Sequence, residues 1–362
     1  MKTWIMLLFL LTTLIKSSVF AAVVKNNVPK LDHVFIIMME NHSFDQIIGN
    51  ANTPFINAWA HTANLATNYY GVGHPSLTNY LEVVGGSNFG IVNDHAPDWY
   101  GRTPSSHLNE PITKQGRDIA TPGATAPFGI TIPAAPFVGK TIANQLADIG
   151  KRWKTYQEDL PVVGAEYVNY SDGDYSNLDK VSNVQALYAV KHNPFVYFEN
   201  IQDSNNPDSS LKNTVGFKGL NGLYADLRSG DVPDFSFIAP NQCHDMHGIG
   251  NGSHLCQYNS ATLMKMSDAA LENLVSSIKN SSVWKKGNNV VIAIFDENNF
   301  SKKPNRVVSI VDTSYGIHGI QSNMPYSHFS LLKTLEAGFG LSCLNHACDA
   351  EVNLMTDMFA RH

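Results

Sequence analysis

Apolar runs of strand length recur along the chain, separated by stretches of helical period. Val34–Met38, Phe195–Phe198, Phe235–Ala239, Val290–Phe295 and Val307–Val311 are near-continuous hydrophobic segments rather than alternating ones. That pattern belongs to strands covered on both faces. Between them, Thr141–Ile149 stops at Gly150, and Leu263–Ile278 carries apolar residues at helical spacing, so both are predicted helices. The alternation predicts an α/β fold with a mainly parallel sheet flanked by helices on both faces. Ligands of such sheets bind beyond the carboxyl ends of the strands, which makes the polar residues after each apolar run the first place to look for chemistry. Asn93–Pro136 is turn-rich and weakly periodic, and reads as a long surface excursion. No repeat or linker divides the chain.

The start of the chain breaks the pattern. Met1-Lys2 is a short positive start, Trp4–Ile15 is an apolar run too short to span a bilayer, and Val19-Phe20-Ala21 suits a cleavage point. Residues 1–21 therefore read as a signal peptide and 22–362 as a single domain of a secreted or periplasmic protein. In an oxidising compartment the four cysteines read as two local disulfides. Proximity selects Cys243 with Cys256 and Cys343 with Cys348 from the three possible pairings. Lys and Arg number 25 against 31 Asp and Glu, a net charge of −6, which excludes a basic surface for reading a nucleic-acid duplex.

Two motifs mislead. Ala134–Thr141 fits a relaxed phosphate-loop pattern, but Pro136 removes a backbone donor, and Thr141 is better read as the cap of an ordinary helix. Gly85-Gly86-Ser87-Asn88-Phe89 misses the serine-hydrolase elbow at its last position.

Three strand ends carry chemistry. Glu40 and Asn41 follow the first apolar run, where oxygen donors suit a metal ion. Val290–Phe295 runs straight into Asp296-Glu297, an acidic pair that is costly to bury without a cation. Phe235–Ala239 leads to His244, Asp245 and His247. In Gly71–Leu81, Pro75 sits near the first position of a helix, and Ser76 falls at its N-terminus, where an anion is favoured. A hydroxyl there, beside a divalent cation, is a candidate nucleophile, with Asn79 on the same face as a phosphoryl donor. His328 begins a later helix and is a further candidate for the same cleft.

ENHSFD, HPSLTNYL, the HDMH loop, FDEN and SHFSLLKTLEAGF, in that order, resemble the bacterial and fungal phosphoesterase family, which holds secreted acid phosphatases and phosphatidylcholine-type phospholipases C. Trp153–Asp159 and Lys191–Phe195 are further landmarks of the resemblance, which spans roughly Leu31 to Asp349. It implies an alkaline-phosphatase-like fold, a metal held by Glu40, Asn41, Asp296 and Glu297, and Ser76 as the metal-bound nucleophile. His244, Asp245, His247 and His328 are implied as second-site or leaving-group residues. The stretch Lys302–Arg306 departs from the Gly-rich loop and Asp-His of phospholipase-type members.

The expectation is an exported, metal-dependent phosphoric ester hydrolase, acting on small phosphomonoesters through a seryl-phosphate. A phospholipase C, with membrane lipid as substrate only, is the first rival, and a non-catalytic surface binding protein the second. Mixed Glu/Asn/Asp ligands suit calcium or magnesium, and nearby histidines suit zinc. An acidic optimum is expected if His244, His247 or His328 is protonated in the working enzyme.

Overall fold

His33–Met39 (β1) is buried over all but its first residue and lies near the middle of an eight-stranded sheet. The other strands are Asn64–Ala66 (β2), Trp153–Gln157 (β3), Thr214–Val215 (β4), Phe235–Ala239 (β5), Asn289–Phe295 (β6), Ser309–Thr313 (β7) and Gln321–Ser322 (β8). Their spatial order is β8-β2-β7-β6-β1-β5-β3-β4. β1 is parallel to β5 and β6, β3 is parallel to β5 and β4, and β7 runs antiparallel to both its neighbours. This computed structural model describes residues 28–361 except 92, 95–135, 166–169, 174–185, 203, 205, 250–255, 259 and 301–302. The expected signal peptide and most of the surface excursion therefore lie outside the described residues.

Every residue of β5 and β6 is buried, which requires cover on both faces of the sheet. Pro54–Thr62 (α1), Ser76–Gly85 (α2), Ile142–Asp148 (α3), Leu223–Ser229 (α4), Ala261–Asn280 (α5) and His328–Phe339 (α6) supply it as two packed groups. α1 and α4 pack on α5, whereas α2, α3 and α6 pack on one another. The predicted cap is present: Asn144 Oδ1 accepts from the Thr141 N–H at 2.8 Å and its hydroxyl at 2.9 Å. Asp268 in α5 accepts from the Phe55 and Ile56 N–H groups, both at 2.9 Å, and so caps α1.

One predicted strand is absent. Phe195, Val196 and Tyr197 lie in a buried 3₁₀ turn, Pro194–Tyr197, because Pro194 fixes its own φ and offers no N–H to a sheet, and Phe198 makes only an isolated bridge to Phe137. β3, unforeseen as a strand, takes the next place in the sheet. Val307–Val311 is displaced by two residues, to β7. Both expected disulfides form, with Cα–Cα distances of 5.4 Å for Cys243–Cys256 and 5.2 Å for Cys343–Cys348.

Glu336 in α6 is buried, and that burial pushes its carboxyl up to about 9, against weaker opposing effects of the Leu344 backbone and Lys333. Its unfolded value is near 4.5. Below that pH both states are protonated and the group is neutral to stability. As pH rises towards 9 only the unfolded chain ionises, so folding loses about 1.4 kcal/mol per pH unit. Glu336→Gln should then stabilise the protein by roughly 3 kcal/mol at pH 7 and by almost nothing at pH 4.5. Urea unfolding with disulfides intact at the two pH values measures the difference. An equal effect at both would show that the carboxyl does not titrate as its burial requires.

Candidate active site

Strand register assembles the centre. Met39 pairs with Phe295, so the residues that follow, Glu40 and Asp296, leave neighbouring parallel strands side by side. The Asp296 N–H donates to Met39 O at 3.0 Å, the Glu40 N–H donates to Asp245 O at 2.8 Å, and the Asn41 N–H donates to Asp296 Oδ1 at 3.0 Å. Three strand ends, those of β1, β6 and β5, are thereby joined through backbone bonds.

Ser76 is the first residue of α2 and is buried; its Oγ–H donates to Glu40 Oε2 at 3.0 Å. The loop before it is held closely. Asn79 Oδ1 accepts from the Val72 and Gly73 N–H groups, both at 3.0 Å, while Nδ2 donates to Gly73 O at 3.0 Å and to Glu297 Oε2 at 3.2 Å. Both amide hydrogens of Asn79 thus have acceptors within the centre, and the residue braces the loop that leads to Ser76. Gly71 is required there, because a Cβ would collide with the Asp296 carbonyl. The helix ends at Gly86, φ 69°, so the Gly-Gly-Ser stretch is a helix terminus and not a nucleophile turn.

His192 bridges the other side of Glu40. Its Nε2 lies 3.1 Å from Glu40 Oε1 and its Nδ1 lies 3.3 Å from Asp245 Oδ2. Ligand atoms of Glu40, His192 and Asp245 fall within 4.8 Å of one another. Lys191 donates to Asp94 Oδ2 at 3.0 Å, and Asp94 Oδ1 accepts the Leu77 N–H at 3.0 Å. His74 Nδ1 is 2.8 Å from Glu297 Oε2, with its ring stacked on Phe300.

Burial dominates the electrostatics. It raises the carboxyls of Glu40, Asp245, Asp296 and Glu297 above their ordinary range; the charge of Glu40 adds to the effect on the other three, and that of Asp94 to the effect on Glu40. Burial alone would pull the Lys191 ammonium down, but Asp94, Glu40 and Asp296 together push it up. Four buried carboxylates surround one lysine, an excess that calls for protons or a cation. Asn41 Oδ1 and Asp296 Oδ2 are buried with no hydrogen-bond partner among the described residues. The grouped ligand atoms of Glu40, His192 and Asp245 fit a divalent metal ion through two oxygens and a nitrogen, and Asn41 and Asp296, at the same strand ends, carry further oxygen donors.

The histidines depart most from expectation. His328 Nε2–H donates to Asp296 O at 2.6 Å, leaving Nδ1 to accept from the Tyr69 hydroxyl at 3.0 Å. It is fully buried and fixes a strand end from behind. His244 pairs with Glu158 at 2.8 Å and is not brought to Ser76. Its proton affinity is raised by Glu158. His247 Nδ1–H donates to Gly248 O at 2.7 Å, so Nε2 accepts from Lys191 at 3.3 Å. Burial pushes His247 down to about 3 and His328 and His74 down to about 4, so these rings are neutral in mild acid. Burial therefore opposes the protonation of His247 or His328 on which the expected acid preference would draw. His192, Lys191, His74 and Asp94 were not foreseen as site residues. A Lys-His pair inside the apolar stretch Tyr188–Phe198 is the signal that could have revealed the first two; Asp94 had none.

The Phosphoesterase family model matches residues 50–342, a span that includes Ser76, Lys191, His192, Asp245, Asp296 and Glu297. The chain belongs to that family. Among similar proteins, a phosphatidylinositol-3-phosphatase of Mycobacterium tuberculosis is 26% identical over 326 residues, 89% of this chain and 81% of its own. An acid phosphatase of Aspergillus fumigatus is 24% identical over 322 residues, 88% of this chain. A probable acid phosphatase of Kluyveromyces lactis is 26% identical over 322 residues. The match spans only 57% and 61% of the length of these two fungal proteins. A solved structure of an alkaline phosphatase superfamily protein from Vibrio parahaemolyticus superposes with a TM-score of 0.48 at 14% identity, covering 88% of this chain and 69% of its own.

Proposed function

We propose that this member of the family is a divalent-metal-dependent hydrolase of phosphomonoesters, with Ser76 as nucleophile. The observation that carries the reading is Ser76 Oγ, buried at a helix N-terminus and hydrogen-bonded to Glu40 Oε2 at 3.0 Å, beside the partnerless oxygens of Asn41 and Asp296. The hydroxyl proton already has an acceptor at Glu40. Ser76 Oγ would form a bond to phosphorus as the bond to the leaving alcohol oxygen breaks, and water would then release phosphate from the serine. Glu40, Asn41 and Asp296 would hold the cation, with Glu297 kept in place by His74 and Asn79. When bound, a divalent ion offsets carboxylate charge and favours the serine alkoxide. Calcium, magnesium and zinc remain the candidates, the last favoured by His192.

Export from the cytoplasm is part of the proposal, supported by the two disulfides. The relatives support a monoester substrate over a phosphodiester one, because they are named phosphatases. One acts on a phosphoinositide by name, which adds a lipid monoester to the candidates. The test compares p-nitrophenyl phosphate, phosphatidylinositol 3-phosphate and phosphatidylcholine as substrates of the metal-loaded protein. Phosphate release from either monoester, with phosphocholine release at least about 100-fold slower, is the expected result. Faster phosphocholine release would make it a phospholipase C, and turnover of none would leave a binding protein.

A further inference from the structure

The inference here rests on the phosphomonoesterase reading of Ser76. Leu77, the next residue, presents its N–H in the first turn of α2, where the helix dipole favours an anion. An internal anion is already there. Asp94 spans two donors with its two oxygens, the Leu77 N–H and Lys191 Nζ, each at 3.0 Å. Two non-bridging phosphoryl oxygens would use the same pair of donors.

The two sides of this contact are built differently. The Lys191 side chain is 11% exposed and Asp94 is 34% exposed, so the cation belongs to the floor of the site and the carboxylate to its mouth. Lys191 is further fixed by its bond to His247 Nε2, whose tautomer is set by Gly248 O. At the adjoining ends of β1 and β6, Asn41 Oδ1 and Asp296 Oδ2 are buried and, among the described residues, without a hydrogen-bond partner, a centre unfinished without a cation.

We propose that Asp94 is an internal occupant of the phosphoryl subsite. The Leu77 N–H and Lys191 Nζ bind two phosphoryl oxygens, and a phosphate ester enters by displacing the Asp94 carboxylate. The contact lowers apparent affinity by the fraction of time the subsite is filled from within. Lys191 is then a substrate-binding residue, and His247 a positioning residue for it.

The experiment measures inhibition by inorganic phosphate, and KM for p-nitrophenyl phosphate, in the metal-loaded full chain and three variants. Asp94→Ala and Asp94→Asn should tighten phosphate inhibition by about tenfold and lower KM in parallel. Asn at position 94 can still accept the Leu77 N–H, so it keeps the test alive if Ala weakens the fold. Lys191→Met should act in the opposite direction, weakening phosphate inhibition by about tenfold or more. Unchanged or weaker inhibition in folded Asp94 variants would overturn the proposal, as would failure of both to fold, since Asp94 would then be a structural cap. If the wild type neither turns over p-nitrophenyl phosphate nor binds phosphate, it is the underlying phosphomonoesterase reading that fails, and the inference falls with it.

Discussion

Ser76→Ala should fold and hold its metal yet lose turnover by about three orders of magnitude or more, as expected when a covalent nucleophile is removed. The hydroxyl makes one described hydrogen bond, to Glu40, and its loss costs about 0.5–1.5 kcal/mol. The rest of the centre does not depend on it. Glu40 is tied through its backbone to Asp245, and Asn79 braces the loop without contacting Ser76 Oγ. Steady-state turnover of p-nitrophenyl phosphate and a thermal melt together decide the point. A folded variant with near-normal turnover would remove Ser76 from the chemistry. In the wild type, rapid acid quench should trap phosphate on the peptide carrying Ser76.

How far the sequence reveals this site depends on which element each residue comes from. Glu40, Asp296 and Glu297 are legible because each follows a continuous apolar run, and β1 and β6 are buried along their length as such runs require. Ser76 is legible for a similar reason, since Pro75 and the apolar residues after it mark a helix start. Asn79 is legible as sharing the helix face of Ser76, but its bracing of the loop is not, because those contacts depend on how residues 71–74 fold back. Lys191 and His192 come from a 3₁₀ turn that follows a short strand, Tyr188–Ala189, with no periodic signature. β3 escaped notice because Trp-Lys-Thr-Tyr-Gln mixes polar and apolar residues, although Trp153, Thr155, Tyr156 and Gln157 are all buried. The apolar Phe195–Phe198 run was misread for the opposite reason: hydrophobicity reported burial, while Pro194 dictated the turn.

The buried carboxylates set up a second large effect, with opposite signs for stability and for function. Glu40, Asp245, Asp296 and Glu297 repel one another in the apo protein, and the shape of Asn matches that of Asp. Asp296→Asn can keep its acceptor on the Asn41 N–H and turn its amide towards the position of the partnerless Oδ2. One charge leaves the cluster, so the metal-free variant should be at least as stable as metal-free wild type. Metal affinity should nevertheless fall by more than about 100-fold, because a charged oxygen donor becomes an amide N–H₂ aimed at the cation. Activity should fall with metal content. Elemental analysis after dialysis, paired with melting curves of the metal-free proteins, separates the two effects. A variant that retains one equivalent of tightly bound metal would exclude Asp296 as a ligand. A wild type that stays fully active after exhaustive chelation, with no metal detectable, would exclude the metal altogether and leave the excess carboxylates to be neutralised by protons.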